Sequence, residues 1–390
     1  MFAYWAMMLS VSGMYTMYIA KLGFSKEEIS IAVTLNTISA LIGQNFIGFF
    51  VDKFKCVKKI LFISISVGLL VALTLNFATL NWQIYILISI WGFFLYGTIP
   101  LSETWCIEKL IAANEQRNFG KIRGFGSIGY GFSGVLIGLL LQNFGWKIYY
   151  FYIFLSVCFT LISISFMSED NSNLDGEHDT GIKAKVDISY KDAVREIIKI
   201  KPLMYMITII FMYNFVVRGI YIYLGVLLAD YGGGPLSLGV TYFFDATPEV
   251  ITFFLAAKLL RKFKSKKLIL VAFLLQILRL SLILVFNSAI AVILLGTLSG
   301  FAFGLLATAY KTYVYELAPV KYKASCMSLS ETIIGFSAVI SAPVFGILFA
   351  KFGTNIAILV GLVINIISVL LILLGLYKEK KTCFFKQGDI

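Results

Sequence analysis

Two ionisable residues, Glu103 and Arg123, stand out because each lies inside or at the rim of a long apolar stretch. A short polar connection, CIEKLIAANEQRNFGKIRG, joins the two stretches. An ionisable group at membrane depth is costly and usually serves a function, such as binding a substrate or carrying a proton. The pair therefore predicts a site that binds a polar solute inside a membrane.

The apolar stretches contain as many acids as bases. Away from the ends of these stretches, the ionisable residues are Glu103, Asp245, Glu249, Glu331, Arg123, Arg218, Arg279 and Lys311. Because an unpaired charge in a medium of low dielectric is costly, this balance indicates that the charges neutralise one another around a shared wet cavity. A purely structural network remains open for some of them, and an interfacial pair with Lys311 would explain Glu331 equally well.

Asp245 and Glu249 are four residues apart, so on a helix they share one face with Cβ atoms about 6 Å apart. Two neighbouring carboxylates resist joint ionisation unless Arg279 or Arg218 lies between them. The pair is therefore the candidate for proton carriage. Sodium, bound through Asp245 and Asn214, is the alternative coupling ion.

The composition requires a membrane to hold these residues. Of the 390 residues 59% are hydrophobic and 14% are charged, and the mean hydropathy is +0.88. Apolar runs of about 20 residues, long enough to cross a bilayer, must be helical because lipid cannot satisfy the backbone. We predict twelve such helices, at 1–20, 31–51, 60–80, 84–108, 124–144, 148–167, 202–229, 237–258, 267–286, 288–315, 325–349 and 354–376.

The formal charge of +12 follows from membrane topology rather than from nucleic-acid binding. The basic residues fall in alternate connections, after the second and eighth spans and in the tail, as the positive-inside rule requires. They include Lys53, Lys55, Lys58, Lys59, Arg261, Lys262, Lys264, Lys266, Lys267, Lys378, Lys380 and Lys381. We therefore expect both termini in the cytoplasm and a monomer in the cell membrane, of the bacterial inner or cytoplasmic type.

Two related bundles are predicted, at 1–167 and 202–377, joined by a polar cytoplasmic linker at 168–201 and followed by a tail at 378–390. DKFKCVKKIL resembles RKFKSKKLIL, and WCIEKL resembles VYELAP, at corresponding places in the two bundles. Two matches in register indicate duplication. The end of the linker, YKDAVREIIKIKP, predicts a short amphipathic helix.

Enzyme chemistry is not indicated. Metal centres need clustered His, Cys or carboxylates, whereas the only histidine, His178, lies in the linker and the five cysteines are scattered. The sequence contains no Gly-rich phosphate loop and no Ser/His pairing. We predict no catalytic residue, no metal site and no cofactor, and a membrane enzyme or receptor stays only a remote alternative.

The pattern resembles the major facilitator superfamily over nearly the whole chain. The loop after the second span keeps Gly48, Asp52 and Lys53 of the superfamily motif, although Lys55 replaces its usual glycine. The resemblance implies two six-helix bundles that rock around a central site, with Asp52 as a gate residue. Gly48 predicts close approach of a neighbouring helix.

Within the superfamily, the stretch from Glu103 to Gly131 is similar to the lactose permease group and its nucleoside-carrying relatives. The resemblance implies that Glu103 and Arg123 bind solute hydroxyls. It also implies that Tyr130, in place of the group's tryptophan, stacks on the solute. The small residues of this stretch predict close packing against the fourth or eighth span: Gly124, Gly126, Gly129, Gly131 and Gly134.

The tenth span departs from that group. In the lactose permease group, a His and a Glu of this span couple transport to protons, and Ser299 and Ala302 stand at the corresponding positions here. Glu249, Arg279 and Lys311 match other members of that group's charge network. We therefore expect proton-coupled symport of a sugar, oligosaccharide or nucleoside-like solute, with coupling at other residues than in the lactose permease. Proton-driven efflux of drugs or metabolites is the alternative.

Overall fold

The computed structural model describes residues 1–54, 56–78, 80–115, 118–167, 195–319 and 323–387. Its regular structure is helical throughout these ranges. The helices are α1 Phe2–Ser12, α2 Tyr15–Lys21, α3 Lys26–Phe54, α4 Val57–Thr74, α5 Asn81–Trp91, α6 Gly97–Ala112, α7 Phe119–Phe144, α8 Lys147–Ser165, α9 Lys201–Ile222, α10 Leu224–Asp230, α11 Pro235–Lys262, α12 Ser265–Phe286, α13 Ala289–Leu317, α14 Lys323–Ile347 and α15 Thr354–Gln387. Short π-helical segments at Gly92–Tyr96 and Leu348–Phe352 continue α5 into α6 and extend α14.

Within the described ranges, ten helical segments are long and apolar enough to cross a membrane. They coincide with ten of the predicted spans, which confirms a multi-pass helical membrane protein. The other two predicted spans, 1–20 and 237–258, are helical as well. The first is divided into α1 and α2 at Gly13, and the second is α11, which carries Asp245 and Glu249.

Most of the predicted linker, with His178, lies outside the described residues, as do Lys55 and the side chain of Asp52. The predicted amphipathic helix is described only at its end, where one helical turn occupies 195–198.

Helix α7 packs tightly between α1 and α11 because its contact faces are rich in glycine. A Cβ atom at Gly129 would collide with the backbone carbonyl oxygen of Phe2 on α1, and one at Gly138 would lie 2.9 Å from Leu236 Cα on α11. The predicted contact with the eighth span is thus present. The alternative partner, the fourth span, is wrong, because α1 occupies that side of α7.

The two halves of the chain, 1–167 and 202–377, meet firmly at one end of the molecule. We call this the closed end, defined by the connections at 22–25 and 231–234. Lys26 Nζ lies 2.7 Å from Asp230 Oδ2, and Thr354 also binds the Asp230 carboxylate. Ser30 on α3 contacts α14 so closely that Gly346 has no room for a side chain.

The halves diverge toward the opposite end. We call this the basic end, defined by the connections at 55–56 and 263–264. A Cβ atom at Gly48 on α3 or at Gly335 on α14 would meet no atom within 4 Å. The prediction of close packing at Gly48 is therefore wrong in this structure. We call the open space beside these two glycines the cleft between α3 and α14.

Candidate functional site

The structure brings Glu103 and Arg123 together near the basic end of α6 and α7. Arg123 Nε donates a hydrogen bond to Glu103 Oε1 at 3.0 Å. The Arg123 side chain is only 13% exposed and that of Glu103 is 31% exposed. A hydrogen-bonded ion pair of this kind is stronger than a solvated surface pair, so the two helices hold the guanidinium in a fixed position.

An acid from the second half of the chain completes this cluster. Glu249 Oε1 on α11 lies 3.8 Å from an Arg123 terminal nitrogen, and the Glu249 side chain is 13% exposed. This oxygen is buried without a hydrogen-bond partner among the described residues. The sequence predicts Glu249 as a proton carrier together with Asp245, and the structure places Glu249 beside Glu103 and Arg123. Two carboxylates therefore face one guanidinium.

Aromatic rings frame the guanidinium. The Trp5 ring centroid lies 4.2 Å from Arg123 Cζ, and the Phe253 centroid lies at 5.9 Å. Cation–π attraction of this kind is worth about 0.5–2 kcal/mol. Gly126 makes room for the indole, because a Cβ atom there would lie 2.5 Å from Trp5 Cδ1. The sequence does not predict Trp5 as a site residue, because nothing in the first span indicates which face of that helix contacts α7.

Tyr130 belongs to an aromatic group at the centre of the molecule, which we call the tyrosine layer and define as Tyr130, Tyr221 and Tyr242. The Tyr130 and Tyr221 hydroxyl oxygens are 3.2 Å apart, and the Tyr242 ring lies 5.6 Å from Tyr130. Trp5 packs on Tyr130 at 6.2 Å. This layer separates the Arg123 cluster from the closed end, where Tyr242 donates a hydrogen bond to the Gly13 carbonyl.

Asp245 and Arg279 lie deeper in the second half. Asp245 is one turn from Glu249 on α11, and its Oδ1 is buried without a hydrogen-bond partner among the described residues. Arg279 on α12 is 2% exposed, and it forms no ion pair with Asp245. Asp245 and Glu249 thus lie on one face of α11, each with one buried carboxylate oxygen that has no hydrogen-bond partner among the described residues.

Two of the remaining predicted charges, Lys311 and Glu331, pair with each other. Lys311 Nζ on α13 lies 3.7 Å from Glu331 Oε1 on α14, as the interfacial-pair alternative predicted. Arg218 on α9 is exposed. The predicted charges therefore lie in the Arg123 cluster, around Asp245 and Arg279, and at the Lys311–Glu331 pair, and a shared wet cavity around them stays a prediction.

The gate residue Lys53 lies at the basic end of α3, whereas the tenth-span position Ser299 lies beside Asp245, because the adjacent Gly300 packs directly against the Asp245 backbone. Lys53 is exposed, and its Nζ lies 5.6 Å and 6.0 Å from the rings of Phe54 and Phe49. Ser299 and Ala302 are buried within α13. Among the described residues, no three His, Cys, Asp or Glu side chains cluster as metal ligands would.

Solved structures of the nucleoside transporter NupG are similar to this chain. One of these structures aligns with 96% of this chain over 95% of the transporter chain, with a TM-score of 0.75 and 16% sequence identity. A single-residue mutant of that transporter gives the same TM-score and identity, with 95% and 96% covered. At this identity the likeness concerns the fold alone. No curated protein sequence matches the chain.

The family model described as the MFS_1 like family matches residues 1–353. This match covers the first half of the chain, the second half up to the start of α15, and the Arg123 cluster. It confirms the resemblance to the major facilitator superfamily, whose members are transporters. The chain belongs to the MFS_1 like family of major facilitator transporters.

Proposed function

We propose that this transporter carries a small polar solute, of the sugar, oligosaccharide or nucleoside-like class, in symport with a proton. The observation that carries the proposal is the position of Arg123, held between Glu103 of the first half and Glu249 of the second. Carboxylates accept hydrogen bonds from hydroxyl groups and the guanidinium donates them. A polyhydroxylated solute is complementary to this set, and the NupG likeness agrees with a nucleoside-like variant.

Proton coupling follows from the charge of the cluster. With both carboxylates ionised, two negative charges face the single positive charge of Arg123. A proton on Glu249 would make the cluster neutral, which lowers the cost of enclosing it away from water. Asp245, one turn along α11, would exchange the proton with Glu249. We propose these two acids as the proton-carrying pair.

Transport would occur by alternating access, with the bundles 1–167 and 202–377 rocking about the central site. The cleft between α3 and α14 opens at the basic end, and the positive-inside rule assigns that end to the cytoplasm. The proposal therefore includes twelve membrane crossings, cytoplasmic termini and an inward-open state in the cell membrane.

Uptake into proteoliposomes tests the proposal. Labelled sugars, disaccharides and nucleosides are presented with and without an inward proton gradient. We expect at least one solute to accumulate faster with the gradient, and we expect Arg123→Ala to abolish this acceleration of uptake. Lys121→Ala removes an exposed charge from the same helix and serves as the matched control. Gradient-independent uptake by the wild type, or full activity of Arg123→Ala, would contradict the proposal.

A further inference from the structure

Ser127 on α7 adjoins the Arg123 cluster and has a free hydroxyl proton. Its Oγ accepts a hydrogen bond of 3.3 Å from Arg123 Nη1, and the residue is 2% exposed. The Ser127 hydroxyl donates no hydrogen bond to a described residue in return. Because a hydroxyl can donate one hydrogen bond as well as accept, Ser127 keeps a buried donor that the described part of the chain does not use.

Glu249 on α11 supplies the complementary acceptor. Its Oε1 is buried without a hydrogen-bond partner among the described residues. The same oxygen lies 3.8 Å from Arg123 Nη2, which exceeds hydrogen-bond length. A free donor on Ser127 and a free acceptor on Glu249 therefore lie beside the two terminal nitrogens of one guanidinium.

The packing of α7 on α11 puts Ser127 and Glu249 at the same level of the two helices. The contacts on either side of this level join Gly124 to Val250 and Gly131 to Ala246. Ser127 follows the first glycine by three residues and precedes the second by four, so all three lie on one face of α7. Glu249 lies between the two contact residues of α11. The Ser127 hydroxyl therefore faces the Glu249 carboxylate.

We propose that Ser127 is a positioning residue that releases Arg123 to the solute when Glu249 takes up a proton. This inference rests on the proposed function, in which Glu249 carries the proton and Arg123 binds the solute. An ionised Glu249 can only accept hydrogen bonds, so it accepts the Ser127 proton while Ser127 Oγ keeps the bond from Arg123 Nη1. The negative charge strengthens both bonds, because hydrogen bonds in a chain polarise one another.

A proton on Glu249 reverses one bond of this chain. The neutral carboxyl donates to Ser127 Oγ, which then receives two donors, and the Ser127 proton turns to a carbonyl of its own helix. The bond from Arg123 Nη1 loses the negative charge that strengthened it. This nitrogen is then free to donate to an acceptor oxygen of the solute. The proton therefore binds first and increases the affinity for the solute.

Substitution of Ser127 leaves every titratable group near this chain in place. The titratable and charged side chains around it are Arg123 on α7, Glu103 on α6, Tyr4 on α1, Asp245 and Glu249 on α11, and Tyr221 on α9. The stretch of α13 that packs against α11 at this level, residues 299–305, carries no charge. A pH dependence that changes in Ser127→Ala therefore reports the Ser127 hydroxyl.

Infrared spectroscopy tests the contact without a solute. Spectra of the purified protein are recorded as differences between an acidic and a neutral pH, for the wild type, Glu249→Gln and Ser127→Ala. The carboxyl C=O band that Glu249→Gln lacks belongs to protonated Glu249. We expect this band to shift in Ser127→Ala, because the Glu249 carboxyl loses its hydrogen-bond partner.

Uptake into proteoliposomes tests the consequence for the solute, with glucose, lactose and uridine as probes. For at least one probe we expect the KM of the wild type to be lower at the acidic than at the neutral pH. Ser127→Ala should bring the ratio of the two KM values about threefold to tenfold closer to one, as the loss of one hydrogen bond predicts. The maximal rate should change less.

Three variants serve as controls. Threonine and valine have nearly the same shape, so Ser127→Thr should keep the KM ratio whereas Ser127→Val should lose it. Ser133 is a buried serine of the same helix whose hydroxyl donates to the Ala6 carbonyl on α1. Ser133→Ala should therefore leave both the infrared band and the KM ratio unchanged. The ratio is measured within each variant, so a general loss of stability does not alter it.

The outcomes separate this assignment from the proposed function. A Glu249 band that Ser127→Ala leaves unshifted, or equal KM ratios in Ser127→Thr and Ser127→Val, would overturn the assignment alone. Absence of a Glu249 band at every pH, or a wild-type KM that does not depend on pH for any probe, would contradict the proposed proton carriage by Glu249 as well.

Discussion

Arg123 Nη2 on α7 lies 3.8 Å from Glu249 Oε1 on α11, and this contact joins the two halves of the chain within the candidate site. Glu103, which belongs to the same half as Arg123, binds the guanidinium through its Oε1 atom, 3.0 Å from Arg123 Nε. When the halves rock, the contact inside the first half can persist while the contact between halves must change. In the proposed function, solute binding, proton transfer and the conformational change are therefore coupled at Arg123.

The two acids on α11 should be required for coupling. We expect an Asp245→Asn, Glu249→Gln double variant to lose acceleration of uptake by a proton gradient, because both proposed proton carriers are removed. Solute exchange across the membrane at equal pH should persist at a reduced rate. The measurement compares gradient-driven uptake with exchange in the same proteoliposomes. Uptake that stays coupled to the gradient in the double variant would remove both acids from the mechanism.

Trp5 should act by positioning Arg123. Loss of the indole at 4.2 Å from the guanidinium costs about 0.5–2 kcal/mol of cation–π attraction. We expect Trp5→Ala to raise the KM for solute uptake about threefold to thirtyfold, with a smaller effect on maximal rate. Trp5→Phe keeps a ring and should lose less. Trp82→Ala, an exposed tryptophan outside the site, is the control. Equal effects of Trp5→Ala and Trp82→Ala would argue against the positioning role.

The helices could be predicted from the sequence because hydropathy and length alone define a span. The seventh predicted span, 202–229, became α9 and α10, and 84–108 became α5 and α6 joined by a π-helical segment. Hydropathy does not indicate the break at Gly13, whose carbonyl accepts a hydrogen bond from Tyr242.

The site was only partly predictable, because one sequence shows which residues share a helix face but not which helices meet. Glu103 and Arg123 are joined by a short connection, so their contact followed from sequence proximity. Trp5 and Glu249 reach Arg123 from distant parts of the chain. The glycine-rich face of α7 indicated that some helix approaches closely, but not that α1 does so with Trp5.

Tight packing of α7 should make its glycines sensitive to substitution. We expect Gly129→Ala to lower the free energy of unfolding by about 1–3 kcal/mol, because the new Cβ would collide with the Phe2 carbonyl. Gly48→Ala adds the same methyl group where no atom lies within 4 Å, so it should be neutral. Thermal unfolding in detergent compares the two. A loss of stability in Gly48→Ala as large as that in Gly129→Ala would contradict the described packing.

The ion pair at the closed end should stabilise the state seen here. Lys26 binds Asp230 at 2.7 Å between the halves. We expect Lys26→Ala to increase the population with a wider closed end, by about threefold for a partly exposed pair. Spin labels at positions 22 and 234 of a cysteine-free variant would report this as a longer distance. Glu27→Ala removes an adjacent exposed charge and should change nothing. An unchanged distance distribution in Lys26→Ala would show that other contacts hold this end shut.

The most direct test of the account is a thermal-shift screen of the purified protein against monosaccharides, disaccharides, nucleosides and small aromatic acids. The account predicts that the ligand that stabilises the wild type also stabilises Lys121→Ala but fails to stabilise Arg123→Ala. A ligand that stabilises Arg123→Ala as strongly as the wild type would show that the solute binds elsewhere.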